Sequence, residues 1–339
     1  MLEYFRIYAV LALYIAVNFL SVLLPLIAKA AIVDHSWLCR GILLLIALDF
    51  LAPLRPGPYG FSPLYYRLTD LSKALESYAS AEIVVEGDQG GSDLYSKEKN
   101  YCICYLPHAL YGHGFHNIRD YFAQKYGITA LYTGSDMIFL GPILRRLMTW
   151  WGFTRVDKRS LAKNLRLRYP YNMVLLNPDG MRGMFYGAGD HEQVFLSHRK
   201  GFCKMALRTG CALVPCYVFG ANHVYERHVG TGPHSWCARL SSKLRLPLLF
   251  WTDRFGIPYG FVPSRQKMVI ALGRPMEVNA VGMEPSQEQV DELHSRFVHE
   301  LRGLFDRNKH RMGEQWAQAH DRLYLENEPI LEAKKVKTS

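Results

Sequence analysis

No two of the seven cysteines stand in a Cys-x-x-Cys pair. Cys39, Cys102, Cys104, Cys203, Cys211, Cys216 and Cys237 are scattered and odd in number, so neither a disulfide framework nor a zinc site is expected. Cys102 and Cys104 alternate along one apolar run, as buried thiols of a reducing compartment would. The chain also lacks internal repeats, low-complexity blocks and any RNA- or DNA-binding signature. That last absence narrows the meaning of a net charge of +10. With nucleic acid set aside, anionic lipid headgroups and phosphorylated substrates are the partners such a charge suits. A length of 339 residues fits one large or two modest domains.

Charge is distributed unevenly. Residues 7–28, from Ile7 to Ala28, carry no charged side chain. At ~1.5 Å per residue this run is long enough for ~30 Å of hydrocarbon. A signal peptide would have a shorter apolar core and a small-residue cleavage site, and a buried core helix would show a polar stripe. Membrane insertion is the expected state. A second apolar run, Trp37 to Leu54, is interrupted by Arg40 and Asp49, and Asp34-His35-Ser36 between the runs reads as a turn with an N-cap. Residues 1–54 are thus expected to form a membrane hairpin or two transmembrane helices. The last residues, Lys335-Val336-Lys337-Thr338-Ser339, match a cytosolic dilysine-type retrieval signal for the endoplasmic reticulum, or form a solvated basic tail over 326–339. Retrieval would place the protein in the endoplasmic reticulum membrane with its main domain cytosolic.

Pro53, Pro56, Pro58 and Pro63, with Gly57 and Gly60, mark the exit from the apolar region. Glu86 to Asn100 reads as a surface loop. Beyond it, strands are expected at Tyr101–Tyr105, Ile128–Tyr132, Met173–Leu176, Ala212–Phe219 and Met268–Leu272. Helices are expected at Phe115–Lys125, Pro142–Trp151, Lys158–Arg168 and Lys200–Thr209, the last stopped by Gly210. This alternation predicts an α/β fold over 55–325, a sheet with helices packed against it. Ser286 and Gln289 form a capping box ahead of a helix carrying Val290, Leu293, Phe297, Leu301 and Leu304 at helical spacing.

Three segments carry residue types suited to chemistry. In Leu106-Pro107-His108-Ala109-Leu110-Tyr111-Gly112-His113-Gly114, a strand runs through a loop into a helix. Sites form at the carboxyl ends of strands in such sheets, and a histidine there suits general-base work. Local sequence equally allows a structural histidine bound to a backbone carbonyl. In Asn177-Pro178-Asp179-Gly180, Asp179 either orients a histidine or makes an Asx-type turn. In His198-Arg199-Lys200-Gly201-Phe202-Cys203-Lys204, cations lie at a helix N-terminus, where the dipole disfavours them; a bound anion would relieve the conflict.

Taken in order, these segments resemble the type 2 diacylglycerol acyltransferase family, which includes monoacylglycerol and wax-alcohol acyltransferases. The resemblance spans roughly residues 100–310 and the preceding hairpin. It is most specific at Arg199-Lys200-Gly201-Phe202-Cys203-Lys204-Met205-Ala206 through Gly210, at Leu213-Val214-Pro215, and at Phe219-Gly220 ending in Tyr225. Pro142-Ile143-Leu144-Arg145, Gly260-Phe261-Val262-Pro263, Gly273-Arg274-Pro275 and Leu304-Phe305-Asp306 match as well. The departures fall on the signature loops. The family's HPHG loop is here Leu106-Pro107-His108-Ala109, with its second histidine kept. The glutamate of the Gly-Gly-x-x-Glu loop is replaced by Gly183, and the glutamate after Phe-Gly by Ala221.

The resemblance implies an acyltransferase-type mixed sheet and transfer of a fatty acyl group from acyl-CoA to a lipid hydroxyl. The simplest such reaction makes triacylglycerol from diacylglycerol. Other acceptors are a monoacylglycerol, a long-chain alcohol, a sterol or a pigment, and a non-catalytic lipid-binding relative is the reading from another class. On the implied mechanism His108 is the base. Asp179 or Asp136 takes the place of the missing glutamate. Backbone N–H groups near Gly112 and Gly114 meet the oxyanion, and Arg199, Lys200 and Lys204 hold coenzyme A phosphates. No cofactor is implied beyond acyl-CoA as co-substrate, and a homo-oligomer is compatible with the family.

Overall fold

A computed structural model describes residues 24–330, apart from 53, 55–57, 59, 70–75, 77, 89–93, 113, 188–190, 228–234, 245–247 and 261. Helix α1 is described over 24–32, followed by α2 (Trp37–Leu51) and α3 (Pro63–Thr69). Then come β1 (Glu82–Val85), β2 (Tyr101–Leu106), α4 (Phe115–Tyr126), β3 (Leu131–Gly134), α5 (Leu144–Trp150), β4 (Phe153–Arg155), α6 (Lys158–Asn164) and β5 (Met173–Leu176). The second half adds α7 (Gly180–Gly183), β6 (Gln193–Val194), α8 (Gly201–Thr209), β7 (Ala212–Phe219), β8 (Glu226–Arg227), α9 (Trp236–Leu244), β9 (Trp251–Thr252) and β10 (Val269–Leu272). It closes with α10 (Gln287–Asn308), α11 (Glu314–Ala319) and β11 (Tyr324–Leu325).

Seven strands form one sheet in the order β1-β10-β7-β2-β5-β3-β4. All its pairings are parallel except β10 with β7, so the sheet is mixed, as expected. At its centre β2, β5 and β7 are buried along their whole length. Strands covered on both faces need apolar side chains at every position, which is why these three read as continuous runs. Successive side chains still point to opposite faces. Tyr101, Ile103 and Tyr105 enter one core with Ile118 and Phe122 of α4. Cys102, Cys104 and Leu106 enter the other, with Phe202 and Ala206 of α8 and Phe297 and Leu301 of α10. Fully burying a side chain such as Ile103 contributes ~1.5–3 kcal/mol over leaving it exposed.

Pro215 sits inside β7 without breaking the β2 ladder. The Leu213 N–H turns toward Met276, whose carbonyl accepts it at 3.0 Å, and alternation turns the Pro215 nitrogen to the same side. There β10 has already ended, and Gly273 donates its N–H to the Pro215 carbonyl at 2.8 Å. The expected capping box of α10 is present: Ser286 Oγ accepts from Gln289 N–H at 3.3 Å, and Gln289 Oε1 accepts from Ser286 N–H at 2.9 Å. Gly210 stops α8 in the left-handed conformation, φ 71°.

Several expected boundaries move. The strand placed at Ile128–Tyr132 is Leu131–Gly134, because Ile128 N–H closes the end of α4 on the Phe122 carbonyl instead of joining a ladder. The helix expected to reach Arg168 ends at Asn164, whose side chain turns inward to donate to Thr154 Oγ1 at 2.6 Å. The expected surface loop before β2 carries a core residue: Tyr95 is buried edge-on against Tyr101, Phe122 and Tyr126. Five of the seven cysteines are buried, Cys39 and Cys237 are partly exposed, and all are free.

Most of the long apolar run lies outside the described residues, as do Lys335 to Ser339. Among the described residues no helix is long and apolar enough to cross a membrane. The second run is a helix, α2, N-capped by Ser36, whose side chain accepts from Cys39 N–H. Asp49, which reads in sequence as an interruption, fastens this helix to α5. Its carboxylate accepts from Arg145 Nε at 2.9 Å, from Ile143 N–H at 3.3 Å and from Arg146. Trp37, Leu38, Leu44, Leu45, Leu48 and Leu51 remain exposed.

Candidate functional site

Strands β5, β2 and β7 lie side by side and parallel, so their carboxyl ends open at one edge of the sheet. From β2 comes Pro107-His108-Ala109, from β5 Asn177-Pro178-Asp179, and from β7 Gly220-Ala221-Asn222. Ligand sites of open α/β sheets gather at this edge.

His108 is partly buried. Its Nδ1 lies 3.1 Å from the Ala109 carbonyl oxygen, which can only accept, so Nδ1 carries the proton and Nε2 the lone pair. Burial lowers the imidazole pKa below its ordinary value, and the Ala109 carbonyl acts in the opposite direction. A neutral imidazole with a free Nε2 is the form that accepts a proton at neutral pH. Ala109 holds the bend at φ 52°, where a side chain larger than a methyl would be strained further.

Asp179 is fully buried and binds the His108 loop, though not the imidazole. Its Oδ2 accepts the His108 backbone N–H at 2.8 Å. Of the two readings open for Asp179, orienting a histidine or making a turn, the first takes the form of a contact with the His108 backbone, from which the ring projects. Burial raises the Asp179 pKa to about 7 against the opposing pull of the His108 N–H and of Arg199. Its other oxygen, Oδ1, has no hydrogen-bond partner. The space this carboxylate fills is set by Gly183, where a Cβ would lie 2.1 Å from Asp179 Oδ2. At the position that reads in sequence as a lost glutamate, the Asp179 side chain fills the space that a side chain on Gly183 would enter. Asp136, the other candidate, heads a 3-10 turn after β3 and makes no hydrogen bond to His108.

Arg199 belongs to this site. Its Nε donates to the Pro178 carbonyl at 3.0 Å, closing the loop that carries Asp179. Lys200 and Lys204 turn elsewhere. Lys200 pairs with Asp291 of α10 at 2.7 Å, and Lys204 with Glu284 at 3.2 Å, a carboxylate it shares with Arg208. The conflict of cations with the α8 dipole is thus met by Asp291 in the first turns of α10 and by Glu284 just ahead of that helix.

Gly112 and Gly114 lie close against core side chains, and Gly114 also takes a backbone conformation that L side chains rarely adopt. A Cβ on Gly112 would lie 2.7 Å from the Phe115 ring, and one on Gly114, at φ 93°, would lie 2.6 Å from Ile270 Cδ1. Their carbonyls accept the first N–H groups of α4, from Phe115 and Ile118. Asn177, which sequence reasoning passed over, ties β5 to β2 by donating Nδ2 to the Tyr105 carbonyl at 3.3 Å. Its place directly after a buried strand was the available signal.

A family model described as diacylglycerol acyltransferase matches residues 82–319. The chain belongs to the diacylglycerol acyltransferase family. This is a family of acyltransferase enzymes, and the match takes in every candidate site residue. A diacylglycerol O-acyltransferase 1 of Eremothecium gossypii is 30% identical over 179 residues, which is 51% of this chain and 38% of that protein. The 2-acylglycerol O-acyltransferase 1 of Mus musculus is 28% identical over 229 residues, 63% of this chain and 67% of the relative. The acyl-CoA wax alcohol acyltransferase 2 of Homo sapiens is 28% identical over 226 residues, with the same two coverages, 63% and 67%. The aligned part thus spans between about two fifths and two thirds of these relatives. No solved structure matches the chain.

Proposed function

We propose that this chain transfers a fatty acyl group from acyl-CoA to a lipid hydroxyl, with diacylglycerol as the simplest acceptor and triacylglycerol as product. The observation that carries the reading is the His108 tautomer: Nδ1–H is engaged by the Ala109 carbonyl, leaving a neutral Nε2 at the strand edge. In the proposed reaction the acceptor hydroxyl gives its proton to Nε2 while its oxygen attacks the thioester carbonyl carbon. The C–S bond then breaks, and the departing thiolate takes the proton from the imidazolium. Backbone N–H groups near Gly112 and Gly114 are the proposed oxyanion donors. Asp179 is assigned to positioning, since it binds the loop and not the ring. Arg199, Lys200 and Lys204 are the proposed coenzyme A cations; coenzyme A phosphates would compete with Asp291 and Glu284 for the two lysines.

Membrane association at the endoplasmic reticulum is part of the same proposal. Its support is α2, exposed and apolar around most of its surface and held to α5 through Asp49. At ~1.5 Å per residue its 15 residues reach ~22 Å, so it would dip into one leaflet and leave the catalytic edge near the headgroups. The relatives named above act, by their names, on diacylglycerol, 2-acylglycerol and wax alcohol. The acceptor is therefore the part to test. Membranes containing the chain would be given labelled acyl-CoA with diacylglycerol, monoacylglycerol, long-chain alcohol and sterol in parallel. Transfer to diacylglycerol that His108→Ala removes is the expected result. Wild-type inactivity toward every acceptor would overturn the reading in favour of a non-catalytic lipid-binding role.

A further inference from the structure

Beyond the carboxyl end of β7, three segments remote in sequence bring together a carboxylate and two imidazoles. Glu192 directly precedes β6, His223 ends the 3-10 turn Ala221–His223 that follows β7, and His320 caps the end of α11. One ligand-type atom from each lies within 4.8 Å of the other two. Glu192 is 2% exposed. Its Oε1 faces His223 Nε2 at 3.7 Å, and both atoms are buried without a hydrogen-bond partner.

The other end of the carboxylate and one of the imidazoles are held in a definite way. Glu192 Oε2 accepts the Tyr217 hydroxyl at 2.6 Å and Asn222 Nδ2 at 3.0 Å. His320 Nδ1 donates to the Trp316 carbonyl at 2.9 Å, and its ring stacks on Trp316 with centroids 4.0 Å apart. This fixes the His320 tautomer and leaves Nε2 with a lone pair. Hydrogen bonds that orient a carboxylate and set a histidine tautomer are the outer-shell partners that metal ligands need. The nearby Arg227 guanidinium is engaged by the carbonyls of Met184 and Tyr186.

We propose that Glu192, His223 and His320 form a binding site for one divalent transition-metal ion of the zinc class, which fastens α11 to the exit of β7. Two imidazoles and a carboxylate are a donor set that zinc accepts, whereas calcium and magnesium prefer oxygen alone. Tetrahedral bonds of ~2.0–2.1 Å place ligand atoms about 3.3 Å apart. The separation of 3.7 Å between Glu192 and His223 is close to that spacing. The ligand atoms of all three already lie within 4.8 Å of one another, so the ion draws them together over a short distance. Coordination also gives Glu192 Oε1 and His223 Nε2 the partners they lack. Tyr217 joins this cluster to the sheet, where it stands in register with Leu106 at the end of β2. The role inferred for the ion is structural, since none of its ligands touches the His108 loop by a hydrogen bond. Cysteine spacing gives no sign of this site, and its three ligands share no local motif in the sequence.

The test uses the full chain in detergent, treated with a chelator and titrated with Zn²⁺, and in a second series with Co²⁺. One ion per chain by elemental analysis, the visible absorption of tetrahedral cobalt and a rise in Tm on adding zinc are expected, because an ion that binds only the folded chain stabilises it. Losing an outer-shell partner alone weakens metal binding by about 10–100-fold. His320→Gln, which removes a ligand, should weaken it at least that much and abolish the Tm rise. Should that variant fail to fold, His223→Gln takes its place. A chelated wild-type chain that takes up no zinc, or a folded variant that binds zinc as tightly as wild type, overturns the proposal.

Discussion

Asp179 and Glu192 are both buried carboxylates beside the same sheet edge, with relative exposures of 0% and 2%. Removal from water pushes both toward the protonated form. They end on opposite sides of their ordinary values. Asp179 rises to about 7 with burial, although backbone N–H groups, that of His108 first, and Arg199 through space oppose the rise. Glu192 is held below its ordinary range, against its burial, by His223 and the Tyr217 hydroxyl. Equal burial therefore yields a group that holds a proton near neutrality in one place and a fixed anion in the other. The kind and placement of the partners decide which. The uncommitted carboxylate stands behind the candidate base, and the fixed anion stands where we place a cation.

The largest expected effect is on chemistry at the first of these regions. His108→Ala should lower acyl transfer by about 10²–10⁴-fold, the usual contribution of a general base, with Tm and membrane association unchanged. Retained activity would end the assignment of His108 as base.

Next come the two carboxylates themselves. Asp179→Ala leaves the buried His108 N–H without an acceptor, a loss of about 1–3 kcal/mol measurable by denaturant unfolding. Asp179→Asn keeps an acceptor oxygen, so it should cost much less and retain most activity. Glu192→Gln removes an anion that its surroundings favour. It should destabilise more at pH 7 than Asp179→Asn does, by about 1–3 kcal/mol. Equal costs for the two isosteric changes would break the comparison.

A smaller effect is the pH dependence. Between the ordinary value of 3.8 and the folded value of about 7, the folded chain holds a proton on Asp179 that the unfolded chain has released. Stability from this group therefore falls as pH rises through that window. Asp179→Asn should remove that decline, seen as a difference between the two proteins' Tm-against-pH curves. Burial lowers the His108 pKa, so kcat/KM should rise with pH below 6.5 and be level above neutrality. The smallest change expected is Lys204→Ala. Its pair with Glu284 is exposed and screened by solvent, so stability should hardly change. A raised KM for acyl-CoA with unchanged kcat would support Lys204 as a phosphate contact, and an unchanged KM would remove it.

The central strands were readable because burial on both faces demands apolar residues throughout, as in Met173–Leu176 and Ala212–Phe219. The α10 start was readable because a capping box is local. By contrast β1 is only half-buried and β4 has three residues, so neither leaves a periodic trace. Asn177-Pro178-Asp179-Gly180 reads as a turn, and it is one, since Gly180 N–H donates to the Asn177 carbonyl at 3.1 Å. That the Asp179 carboxylate also reaches across to His108, 71 residues earlier, depends on the parallel pairing of β2 with β5.

From residue order alone came the family, the α/β alternation and the position of His108 at the end of a buried strand, because each is written in short, contiguous patterns. Tertiary structure decided which nitrogen of His108 is free, that Asp179 holds its backbone, that Lys200 and Lys204 face carboxylates, and that Glu192, His223 and His320 meet. These depend on register and crossover, which bring distant side chains within a few ångströms, and local sequence carries no record of that distance.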